Sequence, residues 1–131
     1  LGPQPFAVLK HHYARCQALI FPGEEDFGIV PVEAMASGRP VIAYGKGGAT
    51  ETVQEGVTGT FFHEQSVDAL IDAIARCKAI APRPSDLVSR ASEFSIERFT
   101  GAMAQFIDGV LKREDHGHRP VRAGGQLDLL K

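Results

Sequence analysis

Cysteine is scarce in this sequence, with two residues in 131. Cys16 and Cys77 lie far apart and on separate predicted helices. That excludes a disulfide framework, and two reduced, buried thiols are expected. No Cys/His spacing suits a metal. Long apolar runs are missing too: none approaches the roughly 20 residues of a membrane-spanning helix. Nor is there an excess of positive charge. Fourteen Lys and Arg face sixteen Asp and Glu, a net charge of −2, which gives no electrostatic case for nucleic acid or an anionic membrane surface. The first residues lack a basic stretch followed by an apolar block, so no signal peptide is read there. What remains is ordinary globular composition, 44% hydrophobic and 23% charged, in a length that allows one domain with a core.

Taken in order, Leu1-Gly-Pro-Gln-Pro5 is a turn-rich start. Phe6, Leu9, Tyr13 and Cys16 recur at three- and four-residue steps and predict an amphipathic helix over Phe6–Arg15, with His11 and His12 at surface or half-buried positions. Ala18–Phe21 reads as a first strand, turned by Pro22-Gly23. A helix from about Ile29 to Ser37 follows, with Pro31 in its first turn and Gly38 just past its end. Val41–Tyr44 is a second strand with no polar alternation, as expected of a parallel strand covered on both faces. A short helix over Thr50–Glu55 and a third strand, Thr60–Phe62, come next. Ser66 caps a clear helix to about Lys78, Ala81-Pro-Arg-Pro84 breaks it, and Leu87, Val88, Ala91 and Phe94 mark another. Ile96, Phe99, Met103, Phe106, Ile107 and Val110 stripe a last helix weakened by Gly101 and Gly109, which must lean on tertiary packing. From Glu114 onward polar, Gly and Pro residues dominate. Strands alternating with helices predict a parallel α/β sheet. Only three strands are visible, and the first has no obvious cover on one side.

The stretch around which the rest is organised is Gly23–Gly38. It runs from a buried strand through an acidic, Gly-containing loop into a helix N-terminus, the recurring arrangement of phosphate sites in α/β proteins. Glu25 lies on the loop and Glu33 in the first turns of the helix, so both can face the crevice at the carboxyl ends of the strands. The N–H groups of Gly28, Ile29 and Val30 are free of intrahelical partners there, and Gly28 allows close approach of a ligand. Amides for a phosphate and carboxylates for hydroxyls together suit a nucleotide-sugar. Acids near a helix start also serve the macrodipole alone, so two glutamates by themselves are weak grounds.

The longer string is more specific. Glu25-Asp-Phe-Gly-Ile-Val-Pro-Val-Glu33, then Ala34-Met-Ala-Ser-Gly-Arg-Pro-Val-Ile42, then Gly47-Gly48 before Glu51, resembles the retaining glycosyltransferases of family 4, the glycosyltransferase group 1 domain. The E-x7-E signature with an internal Phe-Gly carries most of the match, which covers roughly residues 1–112. The resemblance implies a partial Rossmann-like parallel sheet with flanking helices, the C-terminal half of the donor domain of a GT-B fold. Residues 1–112 are then a partial nucleotide-sugar-binding domain and 113–131 a disordered tail. It implies that Glu33 grips the ribose hydroxyls of the donor and that Glu25 is the acidic residue that contacts the donor hexose and is the catalytic residue. Phe27 and Gly28 would meet hexose hydroxyls through their backbone, and Ile29 and Val30 would offer amides to the diphosphate. Hexosyl transfer would retain anomeric configuration, with no cofactor and no obligatory metal. The wording Tyr44–Val53 resembles mannosyltransferases of surface-polysaccharide assembly, so GDP-mannose is the expected donor and UDP-sugars are next.

The resemblance also implies an N-terminal acceptor domain and earlier donor-domain strands, with an Arg and a Lys for the diphosphate, none of which this chain contains. Lys46 is not assumed to replace them. A fragment inactive by itself is expected, with an open sheet edge at the first strand. The complete enzyme would be cytoplasmic, at the inner face of the membrane only through the missing domain. Two other readings stand beside this one: a non-catalytic nucleotide-sugar binding module, and an inactive truncated remnant.

Overall fold

The computed structural model describes residues 2–117. The chain divides into two compact units, Leu1–Ser95 and Ile96–Lys131. The first contains α1 (Phe6–Arg15), β1 (Leu19–Phe21), α2 (Ile29–Ala36), β2 (Val41–Tyr44), α3 (Ala49–Thr52), β3 (Gly59–Phe62), α4 (Val67–Ile80) and α5 (Pro84–Ser92). The strands form one parallel sheet in the order β1-β2-β3. Leu19 pairs with Val41 and Phe21 with Ala43; Val41 pairs with Gly59 and Tyr44 with Phe62. This is the expected α/β class, a partial Rossmann-like sheet with helices about it.

Successive strand residues point to opposite faces, and here both faces are covered. Val41, Ala43 and Phe21 pack with Ala34 and Met35 of α2 and with Leu87 and Ala91 of α5. Ile42 and Phe62 pack on the other side with Ala73 and Cys77 of α4. That explains why β2 reads as an unbroken apolar run. Met35, Leu87 and Val41 are fully buried, and each such side chain contributes roughly 1.5–3 kcal/mol.

The helix boundaries follow local chemistry. Gly38, at φ +70°, closes α2: its N–H donates to Met35 O (2.9 Å) and the Arg39 N–H to Ala34 O (3.0 Å), the paired bonds of a Schellman motif. Ser66 caps α4 by accepting the Ala69 N–H at 3.2 Å, with Asp68 in the first turn. Pro84 opens α5, where its missing N–H costs nothing. α3 is shorter than predicted, because the chain turns at Gln54, whose N–H donates to Thr58 Oγ1 at 2.8 Å.

The two edges of the sheet differ. On β3, the outward Phe61 N–H donates to Glu55 Oε2 and the Phe61 carbonyl accepts from Arg76, both at 2.6 Å. Asp72 and Glu55 each hold that guanidinium at 2.8 Å. On β1, Ile20 is 45% exposed and borders a groove of about 500 Å³ walled by Ile42, Ile74, Cys77 and Pro82. The uncovered side expected of the first strand is there.

Cys77 is buried, but Cys16 is only half-buried, immediately after α1, with its thiol donating to Tyr13 O at 3.3 Å. α1 buries no residue fully; Phe6 is exposed, and Tyr13 packs against the α2 side of the core. The second unit contains α6 (Ile96–Gly117), on which Phe99, Met103, Phe106, Ile107 and Val110 are all exposed. The tail is expected over residues 113–131; residues 113–117 are helical, as the last residues of α6, while residues 118–131 and Leu1 lie outside the described residues. No helix among the described residues is long and apolar enough to cross a membrane.

Candidate functional site

All three strands run into their following loops at one end of the sheet, and those loops are tied together. The Gly48 N–H donates to Glu25 O at 2.6 Å, and the Gln65 side-chain amide donates to Pro22 O at 3.1 Å. A Cβ on Gly47 would lie 2.4 Å from Glu25 O, and one on Gly48 2.3 Å from the Phe27 carbonyl carbon. The Gly47-Gly48 pair therefore exists so that the loop after β2 can lie directly on the backbone of the loop after β1.

Gly28 is the N-cap of α2, at φ +75° and ψ +53°, a left-handed conformation that glycine adopts without penalty. It is buried, and a Cβ there would meet the Ala49 backbone nitrogen at 3.2 Å. Its lack of a side chain thus serves loop packing, a role that the sequence pattern alone did not reveal. No side chain caps α2. Helix geometry leaves the first amides without intrahelical partners, Pro31 has no N–H, and among the described residues no loop hydrogen bond uses the Ile29 or Val30 amide. The macrodipole adds partial positive charge at this end.

The predicted site residues fall into two places. Glu25, Phe27, Gly28, Ile29 and Val30 share the crest of the β1–α2 loop and the start of α2; the Glu25 side chain is exposed, and Phe27 is 54% exposed. Phe27 meets Phe94 edge-on, with ring centroids 6.0 Å apart. The Arg90 guanidinium lies over the Phe94 ring at 4.9 Å and donates to the carbonyls of Glu51 and of Thr52, the latter at 2.9 Å. Arg90 thereby closes the C-terminal end of α3 and fixes the wall on which Phe27 rests.

Glu33 sits one turn further along α2 and is half-buried. The Tyr13 hydroxyl of α1 donates to its Oε2 at 3.1 Å. Burial, then the hydrogen bond and the charge of Glu33, push the Tyr13 phenol up to about 12. Glu33 and Tyr13 line a cavity of about 220 Å³ with Phe6, Lys10, Ala36 and Ser37; Glu25 is not among its walls. Tyr13, Arg90 and Phe94 are the residues that sequence reasoning missed as parts of the site. Tyr13 lay on an apolar stripe, and its hydroxyl was the one signal that it needed a partner. No group of three or more His, Cys, Asp or Glu among the described residues is arranged to hold a metal ion.

An uncapped helix start at the carboxyl edge of a parallel sheet lies at the end where open α/β domains as a class take their ligands. Comparison with known proteins narrows that class. The family model of glycosyl transferases group 1 matches residues 1–94, and the chain belongs to that family. A D-inositol 3-phosphate glycosyltransferase of Kribbella flavida is 40% identical over 83 residues, 63% of this chain and 19% of the relative. An alpha-1,3/1,6-mannosyltransferase of Neurospora crassa is 34% identical over 101 residues, 73% of this chain and 21% of the relative. A GDP-mannose-dependent alpha-(1-6)-phosphatidylinositol monomannoside mannosyltransferase of Mycobacterium tuberculosis is 37% identical over 90 residues, 65% of this chain and 23% of the relative. The chain thus spans about a fifth to a quarter of the length of these curated relatives.

Proposed function

We propose that this chain is the donor-binding part of a retaining hexosyltransferase, and that it takes a nucleotide-diphosphate sugar at the crest formed by residues 22–33. The observation that carries this reading is the α2 start: two amides without a hydrogen-bond partner among the described residues and no capping side chain, with Glu25 before them and Glu33 after them along the chain. The diphosphate would lie on the Ile29 and Val30 amides. As the anomeric bond breaks, negative charge grows on the departing phosphate, and positioned donors of this kind are worth about 2.7–4 kcal/mol each in comparable oxyanion sites. Glu33 would accept from the ribose hydroxyls. Glu25, exposed on the loop, would accept from hexose hydroxyls, and the backbone of Phe27 and Gly28 would frame the sugar. Donor and acceptor would meet on one face, with configuration kept and no metal required. GDP-mannose is the first donor to try, because two of the relatives named above are mannosyltransferases and one is GDP-mannose-dependent by name; UDP-sugars come next.

Calorimetric titration of the chain with GDP-mannose tests this directly. Glu33→Ala should weaken binding by about 1.5–3 kcal/mol, the range for hydrogen bonds to a charged group, and unchanged affinity removes Glu33 from the site. Joining the chain to an acceptor domain and assaying mannosyl transfer separates the classes. Turnover supports a transferase, binding without turnover supports a donor-binding module, and neither leaves an inactive remnant.

A further inference from the structure

We infer that Tyr13 is a positioning residue for the Glu33 carboxylate, holding it in the one orientation that accepts a vicinal diol. The inference rests on the proposed role of Glu33 and goes beyond it by assigning a second residue, on a different helix, to the same contact. A glutamate on a helix surface samples many rotamers, and binding must remove that freedom. Here it is already restricted. The Tyr13 hydroxyl donates to Oε2 at 3.1 Å across twenty residues of sequence. The Ser37 hydroxyl donates to the Glu33 carbonyl at 3.1 Å, which pins the backbone below.

The arrangement leaves acceptor capacity free. An ionised carboxylate offers about four lone-pair sites. Tyr13 takes one on Oε2, and among the described residues no protein group bonds Oε1. Glu33 is half-buried and is one of the residues that wall a cavity of about 220 Å³. A phenylalanine at position 13 would fill the same volume against the α2 side of the core. The hydroxyl is therefore the part that packing does not explain, and among the described residues it donates to Glu33. The raised phenol pKa agrees, since the neutral, donating form is the one kept.

The test is a double-mutant cycle on the 131-residue chain with Tyr13→Phe and Glu33→Gln, using GDP and 2′,3′-dideoxy-GDP as probes and thermal melting to show that each variant is folded. Tyr13→Phe should weaken GDP binding about three- to tenfold, the lower range for directly contacting groups. It should leave 2′,3′-dideoxy-GDP binding unchanged, and it should add no further loss in the Glu33→Gln background. Wild-type affinity for GDP in Tyr13→Phe, while Glu33→Gln is weakened, overturns the positioning role alone. Equal losses for both nucleotides also overturn it, because a merely structural role would not distinguish them. If the wild-type chain fails to bind GDP, or Glu33→Gln binds it as the wild type does, the reading of the donor site itself is wrong and this inference falls with it.

Discussion

Replacing Gly48 by alanine is the sharpest test of how the candidate site is built. The backbone at Gly48 is right-handed, φ −60° and ψ −20°, so alanine carries no intrinsic strain there. The whole effect is contact. A Cβ would stand 2.3 Å from the Phe27 carbonyl carbon and 2.4 Å from its Cα and oxygen, and all three are backbone atoms with no rotamer to yield. Ordinary contact begins at 3.4 Å, so the two loops must part by about 1 Å. That movement stretches the 2.6 Å bond from the Gly48 N–H to Glu25 O. Overpacking of this kind costs about 1–3 kcal/mol, and a buried amide losing its partner about 1–3 kcal/mol more. A net loss near 2–3 kcal/mol is reasonable, and for a unit of this size it lowers Tm by on the order of 10 °C. Thermal and urea denaturation should be compared with Gly23→Ala, where nothing lies within 4 Å and no change is expected. On the proposed donor reading, affinity for the donor should fall as well, because Glu25 and Phe27 move with the loop. A Gly48→Ala protein that melts within a degree of wild type would falsify the claim that the Gly-Gly pair is there for loop contact.

Two further perturbations follow from the same geometry. Arg90→Ala removes the donor to the Glu51 and Thr52 carbonyls and the cation over Phe94; a loss of about 1.5–3 kcal/mol is expected from bonds to a charged group, read as a lower urea midpoint, and an unchanged midpoint contradicts the clasp. The Tyr13 phenol, held near 12 against an ordinary 10.0, favours the folded state while it is neutral. Its contribution is complete below pH 10 and is lost as the pH rises toward 12, because the unfolded chain then releases the proton first. The difference in urea midpoint between wild type and Tyr13→Phe should therefore shrink over that window. Glu33→Gln should move the phenol back toward 10.0, and a wild-type Tyr13 that already titrates at its ordinary value refutes the bond.

Much of the fold was legible because each element announces itself locally. The strands are short apolar runs with turn residues after them, α2 and α4 carry a glycine stop and a serine cap that the structure uses, and the Ala81–Pro84 breaker separates α4 from α5. What was not legible depends on contacts distant in sequence. Gly47 and Gly48 look like a flexible loop until the Glu25–Phe27 backbone is placed against them. Gly28 reads as an opening for a ligand, and that its missing side chain also makes room for the Ala49 backbone is visible only once the two loops are placed together. Arg90 looks like an exposed charge on an amphipathic helix, because nothing in its neighbourhood of the sequence mentions the end of α3, 38 residues earlier. α1 shows the opposite error: its three- and four-residue spacing suggests a buried stripe, yet the helix has only Tyr13 to set against the core.

The unequal thiols have a practical consequence. Cys77 sits 4% exposed behind the groove beside β1, and burial pushes its thiol above the ordinary range, against the opposing bond to Thr60. Cys16 is partly open to solvent. A thiol-labelling reagent should therefore mark Cys16 at once and Cys77 only as fast as α4 lifts from the sheet. The chain carries its own stopwatch for breathing on that flank, and anything that comes to cover β1 should slow it.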